Sequence, residues 1–327
     1  MELPDKLLQA IDNQIAGKDH SALLSAAEAL SLRYRTADKH GQKRITTYDE
    51  ALSYCVSRMP ATYGAVFSSL SNALSLADIR PRSLLDVGAG TGAAFWAASE
   101  LLNLREVTCL EREDILLKLG EALTAGKGED LSPIKWVKYD IQTDSFMYSA
   151  DLVIASYVLN ELAPEHQIKT AILLFDATNE LVLFVEPGTP QGFSNLRKIR
   201  TALLDRGAYM LAPCPHDGLC PILSGDWCHF TCRIQRSSLH RRLKRGDAPF
   251  EDEKFSYLAL AKKTLPLPEG RILRHPQIRK GFIMLEACTV NGVKRFTLSK
   301  KDGERYKQAR KANAGDSIGC KALKEDL

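Results

Sequence analysis

The chain has 327 residues, 45% of them hydrophobic and 26% charged, with a formal net charge of +4. This is the composition of a soluble globular protein, and the length allows one elaborated domain or two. No apolar stretch approaches the roughly 18–20 residues that cross a bilayer, so no membrane contact is expected.

The first residues, MELPDKLLQAIDNQIAGKDH, have no basic segment followed by an apolar run and are too acidic for an Arg-rich transit peptide. A reducing, cytoplasmic setting is expected, where structural disulfides are uncommon. Residues 1–78 read as helices. SALLSAAEALSLRYR has apolar residues at helical spacing, with Ser21 as its N-cap. TTYDEALSYCVSRMPATYGAVFSSLSNALSLA repeats the pattern around Pro60, which should kink or break it.

At residue 82 the texture changes. RSLLDVGAGTGAAFWAASELL is a strand, a glycine-rich turn and an Ala-rich helix, and EVTCLERE is a second strand. IKWVKYDI, DLVIASYVLNEL and LVLFVEPGTP read as three further buried strands, most of them separated by helical segments. Strands alternating with helices imply a parallel α/β sheet, with ligands at the carboxyl ends of its strands. Further on, FSYLALAKK reads as a returning strand, and GFIMLEACTVNGVKRFTLSKK as two strands joined at Asn291-Gly292. The expected divisions are a helical region (1–80), a cofactor-binding core (81–204), a Cys-rich and basic segment (205–250), remaining strands and a hairpin (251–300), and a basic tail (301–327).

The net charge hides an asymmetry. Residues 233–245, RIQRSSLHRRLKR, carry six Lys/Arg and no acid, and residues 271–311 carry twelve Lys/Arg against three acids. Two one-signed blocks in the last third point to a phosphate-backbone partner, with Arg233, Arg236, Arg241, Arg242, Lys244 and Arg245 as candidate contacts.

LLDVGAGTGA places Gly88, Gly90 and Gly92 in the first strand–helix turn, a pattern that also fits a dinucleotide fingerprint. The flanking acids decide. Asp86, just before the first glycine, is poorly placed beside a pyrophosphate but suits a ligand bearing an ammonium and a sulfonium. Glu111 ends the second strand, where a carboxylate can accept from two ribose hydroxyls, and Asp140 ends the third, at the level of an adenine amine. Residues 80–190 therefore resemble the class I S-adenosylmethionine-dependent methyltransferases, which implies a Rossmann-like sheet and that cofactor. For catalysis the sequence offers less. The Asn-Pro-Pro-aromatic and Pro-Cys motifs are absent, and Asn160 and Glu161 are the candidate groups where a substrate would approach, although a polar pair at a helix start also serves as a cap.

CPHDGLCPILSGDWCHFTC spans residues 214–232 and holds Cys214, Cys220, Cys228 and Cys232. Structural zinc favours paired C-x2-4-C knuckles, and only the final pair approaches that spacing. Wider spacing on a loop suits a thiolate-held cluster, with Cys288 as a further ligand at a strand end. His216 and His229 are alternatives for zinc. Unliganded cysteines remain the plain reading.

CPHDGLCP…WCHF, the basic stretch after it, KFSYLAL, LEAC and ERYKQARKANAGD occur in order behind the helical ATYGAV segment. Together they are similar to the Rsm twenty-two family, also called methyltransferase-like protein seventeen in mitochondria, over nearly the whole chain. The resemblance implies a [4Fe–4S] cluster on Cys214, Cys220, Cys228 and Cys288, with Cys232 spare, and binding to small-subunit ribosomal RNA during assembly. The lack of a targeting peptide favours a bacterial, cytoplasmic member acting as a monomer. The expected protein is an α/β class I methyltransferase fold with an N-terminal helical region and a Cys-rich cluster-binding insertion. It would bind S-adenosylmethionine and act on, or assemble, the small ribosomal subunit. The rivals are a non-catalytic assembly factor and a small-molecule methyltransferase with a zinc-stabilised lid.

Overall fold

The structure is a computed structural model that describes residues 1–36, 45–125 and 134–318. Three helices come first: α1 (Asp5–Ile15), α2 (His20–Thr36) and α3 (Tyr48–Leu74). The cap of α2 is Asp19 rather than Ser21, because the Asp19 carboxylate accepts the Ser21 N–H (2.9 Å) and hydroxyl (2.6 Å). A capping box between Thr47 and Glu50 starts α3, and Arg33 from α2 binds the same Glu50 carboxylate. Helix α3 runs unbroken through Pro60, contrary to the expected break. Proline removes one backbone bond there, but Met59, Ala61, Tyr63 and Ala65 around it are buried, and tertiary packing outweighs local propensity.

The main sheet follows. Strands β1 (Ser83–Val87), β2 (Glu106–Glu111), β3 (Ile134–Lys138), β4 (Ala150–Ser156) and β5 (Thr178–Pro187) are parallel, connected through α4 (Ala93–Leu101), α5 (Asp114–Thr124) and α6 (Pro164–Asp176). Helix α7 (Pro190–Asp205) then leads to β6 (Tyr209–Ala212), β7 (Phe230–Gln235), α8 (Ser238–Leu243) and the long β8 (Phe250–Ala261). The sheet order is β3-β2-β1-β4-β5-β8-β6, with β8 antiparallel to β5. The order reverses between β1 and β4, which puts the binding crevice at their carboxyl ends. One face is covered by α3, α4 and α5, the other by α6 and α7. Strand β3 is an edge strand without a fully buried residue, not the buried strand its apolar run suggests.

Phe255 of β8 pairs with Pro187 on one side and Phe230 on the other, so β7 lies on the side away from β5. Strand β6 occupies that same side, opposite Ala259–Ala261. Strands β6 and β7 are thus two segments of one edge, and residues 213–229 loop out between them.

The last strands do not join this sheet. Strands β9 (Gly270–Ile272), β10 (Gln277–Arg279), β11 (Phe282–Thr289), β12 (Gly292–Ser299) and β13 (Ser317–Ile318) form a second, five-stranded sheet, with α9 (Glu304–Lys311) against it. The expected hairpin is therefore part of a separate layer, and the expected tail contributes α9 and β13. Thr289 pairs with Gly292, so the turn residues are Val290 and Asn291, one position earlier than the sequence signal. No helix among the described residues is long and apolar enough to cross a membrane.

Trp136 of β3 packs over Gly120 of α5, where an added Cβ would lie 2.1 Å from the indole ring. Helix propensity favours Gly120→Ala by about 1 kcal/mol, whereas the overlap costs about 1–3 kcal/mol. Thermal unfolding followed by circular dichroism should therefore show a lower Tm for the variant, and a higher one would refute this packing.

Candidate functional site

The crevice at the β1/β4 switch is lined by the glycine turn, by the ends of β2, β3 and β4, and by α3 from above. Gly88 and Gly90 both have positive φ, 65° and 57°. A Cβ on Gly88 would lie 2.4 Å from Val158, while one on Gly90 would meet nothing within 4 Å and point into open space. The turn therefore leaves a free volume against bare backbone, as a close-lying ligand requires.

Glu111 borders this space with both carboxylate oxygens engaged: Oε2 accepts the Gly90 N–H and Oε1 the Glu113 N–H, each at 2.7 Å. Burial raises its pKa and the two backbone donors oppose that rise. Its remaining lone pairs can accept from vicinal hydroxyls. Asp140 also lines the crevice and accepts the Gln142 N–H at 3.0 Å. Asp86 is placed differently from the expectation. It is fully buried beneath the turn, off the crevice wall, and accepts the Phe95 N–H of α4 at 3.1 Å. Burial first, and then the charge of Glu111, push it up to about 7, while the Phe95 N–H opposes the rise; its Oδ1 has no partner among the described residues. Gly92 likewise sits behind the wall as the N-cap of α4. Tyr54, Met59 and Thr62 of α3 close the crevice from above, which no local motif announced.

After β4 the chain turns sharply at Tyr157, a non-glycine residue at φ 59°. Its hydroxyl donates to Glu253 Oε1 (2.7 Å), and Arg58 of α3 lies over its ring and binds both oxygens of Glu253 (3.1 and 2.9 Å). Asn160 lies beside the buried carboxyl of Glu186, whose Oε1 accepts the Leu159 N–H at 3.0 Å and which burial pushes up to about 8. Glu161 borders both the crevice and a neighbouring groove, whereas Asn160 borders the groove alone.

The second constellation lies in the loop between β6 and β7. Cys214, Cys220 and Cys228 line one cavity with Cys288 of β11 and with Ser256, Tyr257 and Leu258 of β8. All four cysteines are free thiols. Burial is the leading cause that raises the thiols of Cys214, Cys228 and Cys288, the last to about 12. Cys232 is not in this group. It is buried on β7 with its Sγ against Gly64 of α3. His216 approaches Cys288 Sγ at 3.7 Å, and His229 Nδ1 donates to the Trp227 carbonyl at 3.1 Å while its ring stacks on that indole. Among the described residues no three His, Cys, Asp or Glu side chains are disposed around a single ion position.

Two arginines line the same cavity, Arg200 at 4% exposure and Arg271 at 1%. Arg200 donates to the His216 and Gly218 carbonyls at 2.8 Å, and Arg271 to Pro213 O (2.9 Å) and Gly315 O (2.7 Å). Arg200 Nε and Arg271 Nη2 have no partner among the described residues. Two desolvated cations with unpaired N–H groups are costly unless an anion faces them.

The basic block 233–245 sits opposite acids. Arg233 pairs with Asp252, Arg236 and Lys244 with Glu251, and Arg245 with Glu28. Arg241 is half-buried, and Arg242 reaches the His20 ring at 3.2 Å.

Residues 48–319 match the family model described as mitochondrial small ribosomal subunit Rsm22. The human mitochondrial ribosome assembly protein METTL17 is 29% identical over 255 residues, covering 70% of this chain and 54% of its own length. The Rsm22-cox11 tandem protein 2, mitochondrial, of Schizosaccharomyces pombe is 24% identical over 337 residues, covering 85% of this chain and 44% of its own. The chain thus spans about half the length of these curated relatives. Among solved structures, magnesium protoporphyrin IX methyltransferase from Synechocystis with bound S-adenosylmethionine superposes with a TM-score of 0.42 at 11% identity, covering 76% of this chain and 99% of that one. The methyltransferase-like fold rests on the strand order itself, and the match across most of its length makes this chain a member of the Rsm22 family.

Proposed function

We propose that the chain binds S-adenosylmethionine and a [4Fe–4S] cluster and acts with ribosomal RNA in assembly of the small ribosomal subunit. The observation that carries this reading is the second cavity, which four free thiols and two buried guanidiniums line in a member of this family, each guanidinium with one nitrogen that has no partner among the described residues. A cluster held by four thiolates is an anion whose sulfurs accept N–H hydrogen bonds, so donor set and counter-charge both fit. Zinc is the poorer fit, because the one cysteine pair near knuckle spacing, Cys228 and Cys232, is split, with Cys228 lining the cavity and Cys232 packed against α3. Cys214, Cys220, Cys228 and Cys288 would hold the cluster, and its chemistry there is thiolate–iron bonding that joins the loop to β11.

In the first crevice, Glu111 would accept from the ribose hydroxyls, Asp140 from the adenine amine, and the ionised Asp86 would balance the ligand's positive charge from below. Bound S-adenosylmethionine supplies an electrophilic methyl group. A role in binding is favoured over turnover, because Tyr157, whose side chain borders the crevice, has its hydroxyl engaged with Glu253. The second reading is methyl transfer to ribosomal RNA, with Glu161 as its candidate base. Incubating assembly-intermediate subunits with radiolabelled cofactor separates the two, since label in the RNA would establish transfer.

Anaerobically purified protein should contain iron and sulfide, which Cys288→Ser removes and Cys232→Ser leaves in place. Stoichiometric zinc without iron would sink the cluster. By calorimetry, Glu111→Ala should weaken S-adenosylmethionine binding by about tenfold or more. The wild-type affinity should rise from pH 6 to pH 8. A cationic ligand favours ionised Asp86, so binding releases a proton wherever the free site, at about 7, is still protonated. Without ligand the sign is opposite. The raised pKa makes the folded chain lose stability as pH climbs from the ordinary carboxylate range through about 7, so the stabilisation by cofactor should grow across that window.

A further inference from the structure

The two basic blocks differ in space far more than in sequence. In the first, four of the six cations touch carboxylates. In the second, Arg279, Lys280, Lys300 and Lys301 are exposed, and none has a carboxylate partner among the described residues. They also lie together. Arg279 pairs with Phe282 across β10 and β11, Phe282 pairs with Ser299 of β12, and Lys300 N donates to Gly281 O at 3.4 Å. The β10–β11 turn and the end of β12 thus bring four positive charges to one corner. The nearest acids are engaged: Asp302 accepts the N–H and hydroxyl of Ser299 (2.7 and 2.9 Å), Glu304 pairs with Lys307 and Glu286 with Arg295.

This corner also presents a stacking surface. Directly paired residues share a sheet face, so Phe282, 36% exposed, stands beside Arg279. An aromatic ring next to an arginine, with lysines flanking, suits an unpaired base with phosphates on either side. It suits a lipid surface less well. The other exposed apolar residue, Ile278, pairs with Ile283 on the opposite face and cannot form one insertion patch with Phe282. We propose that a single-stranded RNA segment docks on this corner of the small sheet, stacking a base on Phe282 beside Arg279, with Lys280, Lys300 and Lys301 on its phosphates. This rests on the RNA reading above and locates the contact away from residues 233–245.

The full chain is titrated with a labelled single-stranded RNA oligonucleotide of mixed sequence across a range of salt. The K280E/K300E/K301E variant should lose more than about tenfold in affinity, and its log–log salt slope should shrink by about 2, from three contacts at roughly 0.7 each. Phe282→Ala should weaken binding by roughly tenfold with the slope unchanged. Thermal unfolding of each variant guards against misfolding, and the K280Q/K300Q/K301Q variant repeats the test without introducing acids. If these variants bind like wild type while R241E/R242E loses affinity and slope, the corner is not the contact, although the protein still binds RNA. If wild-type protein binds no RNA, the RNA reading and this inference fail together. Preferential binding of phosphatidylserine vesicles, lost in the same variants, would overturn the choice of partner.

Discussion

The unequal partnering of strand β8 fixes the arrangement of the molecule. One side of β8 is fully paired to β5 from Phe255 to Ala261, but its other side pairs with β6 only at its end and with β7 only up to Phe255. Ser256, Tyr257 and Leu258 are left without a strand on that side, and all three line the cysteine cavity. The loop of residues 213–229 fills the gap, and the Ser256 hydroxyl holds it by donating to the Cys228 carbonyl at 2.7 Å. Arg271 then ties the small sheet to the loop through Pro213 and holds the turn before β13 through Gly315. Cys288 pairs with Arg271 across β11 and β9, so thiol and guanidinium reach the cavity from the same face. A discontinuous edge therefore makes a cavity lined by both Cys214 and Cys288, 74 positions apart in sequence (288 − 214).

The same strand explains why charge along the sequence misleads. Glu251, Asp252 and Glu253 follow shortly after the basic run, and the β7–β8 hairpin folds them back against it. Exposed pairs such as Arg233–Asp252 add little to stability, but they neutralise the local field. The half-buried cluster of Glu251 with Arg236 and Lys244 is better shielded, and those two cations help hold the Glu251 carboxyl below its usual range against the opposing effect of burial. At the corner made by Lys280 and Lys300 no such ion pair forms among the described residues, because the nearby Asp302 caps Ser299 instead.

Much of the fold was legible because it is carried by local pattern. The glycine turn, the second strand ending at Glu111 and the strand ending at Asp140 all stand where their sequence signals put them. Apolar runs do not reveal whether a strand is central or at an edge, so β3 read as buried. Neither Pro60 nor Ser21 shows in sequence that packing will carry α3 through the proline, or that Asp19 will compete for the cap. Assigning the last strands to a second sheet depends on pairing between residues far apart, which alternation alone leaves open. Grouping Cys288 with the loop, and Cys232 apart from it, came from family likeness; spacing along the chain favours the reverse.

The crevice and the cysteine cavity are joined through one carboxylate. Glu253 leaves β8 a few residues before the cavity-lining Ser256, and it receives the Tyr157 hydroxyl at the mouth of the crevice and both guanidinium arms of Arg58 from the helical region. Burial and the Glu253 charge raise the Tyr157 hydroxyl well above its ordinary range, so it stays a neutral donor to that carboxylate. Arg58 keeps its charge for the same reason, because the carboxylate offsets what burial costs it. Three parts of the chain thus share one half-buried ion pair and one strained turn. A turn held at positive φ by such a network is pre-set rather than adaptable. Rigid walls of this kind suit holding a cofactor in a fixed pose, and they leave little free polar valence for taking a proton from an incoming acceptor.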